Sequence, residues 1–281
     1  MPAYKQIQNL FQQQLSHLYD KEEINALLKI ALSADKNYFS NSYQQISPFQ
    51  EENLLVILNE LIAGKPIQQI LGRAHFYNLD FIVNEYVLIP RPETEELIYL
   101  IIKNHKNQNI NILDIGTGSG CIPVALKKNL SLSKVSSLDI SKEALEIARQ
   151  NADLNNVEIE FFNDNALVLN TNHYPKFDVI VSNPPYIKLE EKTLMHKNVL
   201  DFEPHLALFV DDDKPLIFYD KIADFALTNL QPSGSLYFEI NQNLAFETKE
   251  LLNSKGFKVE IIKDINNNNR FIKANFLDET A

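Results

Sequence analysis

A chain of 281 residues that is 45% apolar and 22% charged carries enough apolar material for a folded core, which excludes global disorder. A formal charge of −11 and a pI near 5.1 argue against a partner held mainly by phosphate contacts, because that affinity comes from clustered Lys and Arg. One cysteine, Cys121, leaves no internal disulfide, and no stretch nears the roughly 20 apolar residues of a membrane span, so the expectation is a cytoplasmic protein that engages no membrane.

Residues 1–66 read as a small helical domain. Ile7, Leu10, Phe11, Leu15, Leu18 and Tyr19 recur at helical spacing, and so do Ile24, Leu27, Leu28, Ala31 and Leu32. A third helix is predicted from Ser47 as N-cap, with Pro48 at its first position, Gln50 completing a capping box, and Leu54, Leu55, Leu58, Leu61 and Ile62 as its stripe. From 67 to 92 the pattern turns to β-branched and aromatic residues with turn signals at Asn78 and Asn84, which predicts a β-hairpin connector.

The larger domain is expected over 93–281. A helix over 93–104 is followed by strand 110–115, a helix from about 120, strand 134–139, helix 141–154 and strands 157–162 and 177–182. Helix 215–230, strand 235–240, helix 243–254 and strands 257–263 and 269–274 complete the chain. Seven strands alternating with helices predict an α/β fold with a mostly parallel seven-stranded sheet, its last two strands forming an antiparallel pair.

Only seven residues are glycine, where average usage gives roughly twenty. Three of them stand in the run Asp114-Ile115-Gly116-Thr117-Gly118-Ser119-Gly120, between a strand and a helix, where a doubly wound sheet binds nucleotide-like ligands. The spacing is neither a dinucleotide fingerprint nor a P-loop. Asp139 ends the next strand and can accept ribose hydroxyls, although it is also, with Ser141, an N-cap candidate for the following helix. Asp114 and Asp139 repel a pyrophosphate and suit a cationic amino-acid nucleoside, so S-adenosylmethionine is the expected cofactor. Six scattered histidines have no metal-site spacing, and no metal is expected.

A second motif, Asn183-Pro184-Pro185-Tyr186, follows the strand 177–182. The prolines stiffen the chain and remove two N–H donors, leaving an acceptor cup with an aromatic wall. A planar NH₂ group fits that cup, giving one hydrogen to the Asn183 side chain and the other to the Pro184 carbonyl.

Together these motifs resemble the Rossmann-like class I methyltransferases that modify exocyclic or amide nitrogens. Residues 64–98, with Ile89-Pro90-Arg91-Pro92-Glu93-Thr94-Glu95, and residues 201–223 are similar to the PrmC/HemK family of release-factor glutamine N5-methyltransferases. The resemblance implies methyl transfer to the glutamine of the GGQ motif in class 1 peptide release factors, with Gly116 to Gly120 and Asp139 on the cofactor and Asn183 to Tyr186 on the glutamine. Asp164 and Asn165 match the stretch that contacts adenine, with Asn165 where many relatives carry an aromatic residue; Gln69 replaces a frequent tyrosine. The partner implied is a release factor, met by a monomer whose N-terminal domain recognises the substrate. The rival is an adenine-N6 or guanine-N2 nucleic-acid methyltransferase, but residues 1–70 hold five lysines against seven acids and supply no basic arm, so no direct nucleic-acid contact is expected.

Overall fold

The structure is a computed structural model that describes residues 4–33 and 45–277; residues 1–3 and 34–44 of the expected helical segment, and 278–281, lie outside them. The chain divides into two units, Met1–Arg73 with His196–Phe202, and Ala74–Met195 with Glu203–Ala281.

In the first unit, α1 (Tyr4–Leu15), α2 (Lys21–Ser33) and α3 (Pro48–Ile62) bury Ile7, Phe11, Leu15, Ile24, Leu28, Leu54, Leu58 and Leu61 in one core. The capping box forms as the sequence predicts: the Ser47 hydroxyl accepts from the Gln50 N–H at 3.2 Å, and the Gln50 side chain accepts from the Ser47 N–H at 3.0 Å. Such a cap stabilises a helix by about 1 kcal/mol. The stripe of α3 is rotated from expectation. Ile57 is buried, whereas Leu55 and Ile62 face outward, because an i, i+3, i+4, i+7 set from Leu54 meets α1 and α2.

Residues 67–71, expected as part of the hairpin, form a short helix instead, α4 (Ile67–Leu71). Two local signals decide this. The Pro66 carbonyl accepts from the N–H groups of Gln69 and Ile70, starting the turn, and Gly72 ends it at φ 65°. Gln69 is buried, and its amide donates to the Phe202 carbonyl at 2.8 Å. The hairpin is therefore shorter, β1 (Arg73–Phe76) and β2 (Leu79–Ile82), joined through Tyr77 and Asn78, both at positive φ. Two such residues give a turn whose twist matches the paired strands.

The second unit is built on a sheet. After α5 (Pro92–His105) come β3 (Asn111–Ile115), α6 (Cys121–Asn129), β4 (Lys134–Asp139), α7 (Lys142–Leu154), β5 (Glu160–Asn163) and β6 (Phe177–Ser182). The expected strand over 157–162 starts late, because Asn156 at φ 53° is still leaving α7 and the Val157 N–H bonds back to Ala152. A pair absent from the sequence reading, β7 (Ile187–Lys188) with β8 (Phe209–Val210), flanks the short helix α8 (Lys197–Phe202). Then follow α9 (Ile217–Asn229), β9 (Leu230–Glu239), α10 (Ala245–Ser254), β10 (Phe257–Lys263) and β11 (Asn269–Phe276).

The seven strands lie in the order β10-β11-β9-β6-β3-β4-β5. Five are parallel, while β11 runs antiparallel to β9 and β10 antiparallel to β11. Alternation along each strand feeds two cores: Leu113, Ile180, Leu236 and Phe238 pack with α9 and α10, and Ile112, Val179, Val181 and Tyr237 pack with α5 and α6. From β3 the chain moves outward through β4 and β5, then returns to the other side of β3 as β6. The carboxyl ends of β3, β4 and β6 therefore bound the crevice where the strand order reverses, the place such sheets bind ligands.

Candidate active site

The loop from β3 to α6 turns at Gly116, Gly118 and Gly120, at φ 81°, 52° and 79°. Their reasons differ. A Cβ on Gly116 or Gly118 would meet no protein atom within 4 Å, so backbone there is open to a close ligand. A Cβ on Gly120 would lie 3.0 Å from the Ala148 Cβ, so this glycine lets α6 seat against α7. The loop is fastened to β4 by the N–H groups of Gly116 and Thr117, which both donate to the Leu138 carbonyl.

Asp139 stands at the tip of β4 and accepts from the Gly118 N–H through Oδ2 and from the Ser141 N–H through Oδ1, each at 2.9 Å. Ser141 is the N-cap of α7, accepting from the Ala144 N–H, which resolves the choice between the two candidates. Burial holds the Asp139 pKa above the ordinary carboxylate value. Asp164 accepts the Tyr174 hydroxyl at 2.8 Å, and Asn165 turns its side-chain oxygen onto the Leu167 N–H.

A cavity of about 380 Å³ joins these groups. Gly116, Thr117, Gly118 and Ser119 line it with Asp139, Asp164 and Asn165, and Asn183, Pro184 and Pro185 line it as well. Three predicted residues stand off its wall. Gly120 is turned into the helix packing, and Tyr186 packs toward the β9 side of the core with its hydroxyl 3.4 Å from Glu239 Oε1. Asp114 is fully buried beneath the loop, where its Oδ2 accepts the Ser137 hydroxyl at 2.8 Å. Burial pushes its pKa up to about 7.

Among the described residues, Asp114 Oδ1, Thr117 Oγ1 and Ser119 Oγ are buried without a hydrogen-bond partner. Leaving such groups unmet costs about 1–3 kcal/mol each; Thr117 and Ser119 line the cavity, whereas Asp114 Oδ1 lies beneath the loop. The charges around the cavity select the ligand. Among the described lining residues Arg91 is the one Lys or Arg, and its guanidinium is held by buried Glu203 at 2.6 Å. Acidic groups without a committed cation fit a positively charged amino-acid nucleoside and not a polyphosphate. The apolar side chains of Ile140, Ala166 and Leu167 line the same cavity and offer a flat base an aliphatic bed where an aromatic is lacking.

Behind Asn183 lie residues that sequence reading did not assign a role. Asn183 Nδ2 donates to Thr94 Oγ1 at 3.3 Å, and the Thr94 hydroxyl donates to Glu239 Oε2 at 2.6 Å. Thr94 belongs to the Ile89–Glu95 signature, which was its available signal; Glu239 offered only a carboxylate ending an apolar strand. Among the described residues no group of three or more His, Cys, Asp or Glu is placed to hold a metal ion.

Residues 95–203 match the model of the methyltransferase small domain. A release factor glutamine methyltransferase of Flavobacterium psychrophilum is 45% identical over 97% of this chain and 99% of its own length. One of Bacteroides thetaiotaomicron is 41% identical, covering 94% of this chain and 96% of that one. A solved methyltransferase from Pyrococcus furiosus superposes with a TM-score of 0.53 at 21% identity, over 81% of this chain and 98% of that chain, and shares the fold.

Proposed function

Because the chain belongs to the release factor glutamine methyltransferase family, we propose that its site takes a methyl group from S-adenosylmethionine to the N5 side-chain amide of the glutamine in the GGQ motif of class 1 release factors. The observation that carries this reading is the juxtaposition, in one cavity, of the glycine loop with its unmet polar atoms and the Asn183-Pro184-Pro185 acceptor segment.

The loop residues Gly116, Thr117, Gly118 and Ser119 would hold the cofactor's amino-acid end, Asp139 its ribose, and Asp164, Asn165 and the Ile140 and Leu167 side chains its adenine. Bound there, the cofactor supplies an electrophilic methyl on a cationic sulfur. The chain supplies orientation. Asn183 Oδ1 and the Pro184 carbonyl accept the two hydrogens of the glutamine amide, which fixes the plane of a weakly nucleophilic nitrogen and aims it along the cavity. The amide becomes strongly acidic once methylated, so it sheds its proton afterward and no resident base is required.

The family names a protein substrate, and the first unit has a face to meet one. On α3, Phe49 and Val56 are 70% and 59% exposed and lie seven residues apart on one stripe. We assign this face, within a substrate-recognition domain spanning 1–66, to the release factor; the protein acts as a cytoplasmic monomer, and no described helix is long and apolar enough to cross a membrane.

Labelled S-adenosylmethionine offered with a release factor, with its GGQ glutamine-to-alanine variant, or with nucleic acid tests the assignment. Label on the intact factor alone is expected. Equal label on the variant, or label on nucleic acid only, overturns it.

A further inference from the structure

One buried carboxylate stands behind both ends of the acceptor motif. Parallel pairing sets Ser182 of β6 beside Phe238 of β9, so Asn183, just past the end of β6, and Glu239, the last residue of β9, are neighbours. Glu239 is 2% exposed. Its Oε2 takes the Thr94 hydroxyl at 2.6 Å, and its Oε1 faces the Tyr186 hydroxyl at 3.4 Å. Asn241, two residues on, donates to the Tyr186 carbonyl at 3.2 Å and fixes the same residue from its backbone.

Donor and acceptor counting determines what this does to Asn183. Thr94 has one hydroxyl proton, and the short bond to Glu239 commits it, leaving only lone pairs toward Asn183. A carbonyl oxygen turned to those lone pairs would be repelled, whereas the NH₂ is welcomed at 3.3 Å. The amide is thus held with Nδ2 inward, so that Oδ1 remains the acceptor for a substrate N–H. With the amide reversed, two N–H groups would confront the incoming NH₂ and the cup would lose its chemistry.

We propose that Glu239, acting through Thr94, sets the amide orientation of Asn183 and, through its second oxygen, the placement of Tyr186, making Thr94 and Glu239 positioning residues for methyl transfer. The inference rests on the methyl-transfer reading above. Burial, and secondarily Glu93, raise the pKa of Glu239, whereas the Thr94 and Tyr186 hydroxyls and Arg270, itself tied to Asp264 Oδ2 at 3.3 Å, favour its charged form. The charged form of Glu239 is thus supported against its burial by Thr94 of α5, Arg270 of β11 and Tyr186 of the acceptor segment.

The test compares Thr94→Val, which keeps the shape and removes the hydroxyl, with Thr94→Ser, which restores it. Thr94→Val is expected to lower kcat about 10- to 100-fold with cofactor affinity kept within about twofold, and Thr94→Ser to recover to within about fivefold of the parent. Thr94→Ala gives the same comparison if the valine variant does not fold. A valine variant with parental kcat, or serine and valine variants equally impaired, overturns the proposal. A second readout is independent of substrate: the Asn183 side-chain NH₂ signals in an amide NMR spectrum, identified by their loss in Asn183→Ala, should shift in Thr94→Val and return in Thr94→Ser. If the parent binds cofactor yet leaves the release factor unlabelled, the substrate reading falls alone. The NMR comparison then decides the relay, unchanged signals overturning it and shifted ones upholding it.

Discussion

Asn183 is the residue on which the acceptor reading turns, and it is held by Thr94 on one side while lining the cavity on the other. Asn183→Ala removes the acceptor without touching the glycine loop. Methyl transfer should fall at least about 100-fold, as when a site loses one oriented hydrogen-bonding group, with cofactor binding by calorimetry nearly unchanged. Unaltered turnover would sink the cup mechanism. The loop glycines separate in the same manner. Gly120→Ala meets Ala148 at 3.0 Å as well as a left-handed backbone, and should cost roughly 1–3 kcal/mol of stability in a denaturant titration. Gly118→Ala meets only the backbone penalty, about 1 kcal/mol, so its larger deficit should appear in cofactor affinity. Both motifs were readable because each packs its chemistry into consecutive residues. The Thr94–Glu239 contact was not, since its partners are 145 positions apart and meet only where α5 packs on β9.

Elements were legible where local signals agreed and misread where they competed. The capping box at Ser47 and the strand-loop-helix at Gly116 are local and formed as written. The short helix α4 was hidden because Ile67, Ile70 and Leu71 fit a strand by composition, while Pro66 and Gly72 bracketed them as one helical turn. The phase of α3 depended on partners that a stripe count cannot see. Its corrected phase carries a prediction: Phe49→Ser with Val56→Ser removes apolar surface already in water, so stability should change by less than about 0.5 kcal/mol. The KM for the release factor should rise severalfold, with cofactor affinity constant. An unchanged KM would separate this face from substrate recognition.

For the whole molecule, the sheet order and its crevice were within reach of the alternating pattern, but the depth of each carboxylate was not. Asp114 illustrates the consequence. Its folded-state pKa, near 7, lies above the value of 3.8 expected for an open chain, so the folded protein binds an extra proton between those pH values. The associated stability is fully present below about pH 4 and is lost as pH rises through about 7, on the order of 4 kcal/mol for a shift of about three units. Thermal unfolding between about pH 5 and pH 7.5 should therefore show a falling midpoint with rising pH, and Asp114→Asn should flatten that fall. Parallel slopes in the two proteins would place the proton elsewhere.

The helix α8 belongs to the first unit although it follows Met195 of the second, and the Phe202 carbonyl receives the buried Gln69 amide. Order of synthesis then differs from order of assembly. The first 73 residues leave the ribosome long before the segment that completes their unit, so the helical unit must wait for about 130 further residues before it is whole. A nascent chain stalled soon after Arg73 emerges should yield to protease within that unit, and one stalled after Phe202 has emerged should resist it. The N-terminal unit is first to be translated, yet it closes only after most of the second unit has been made.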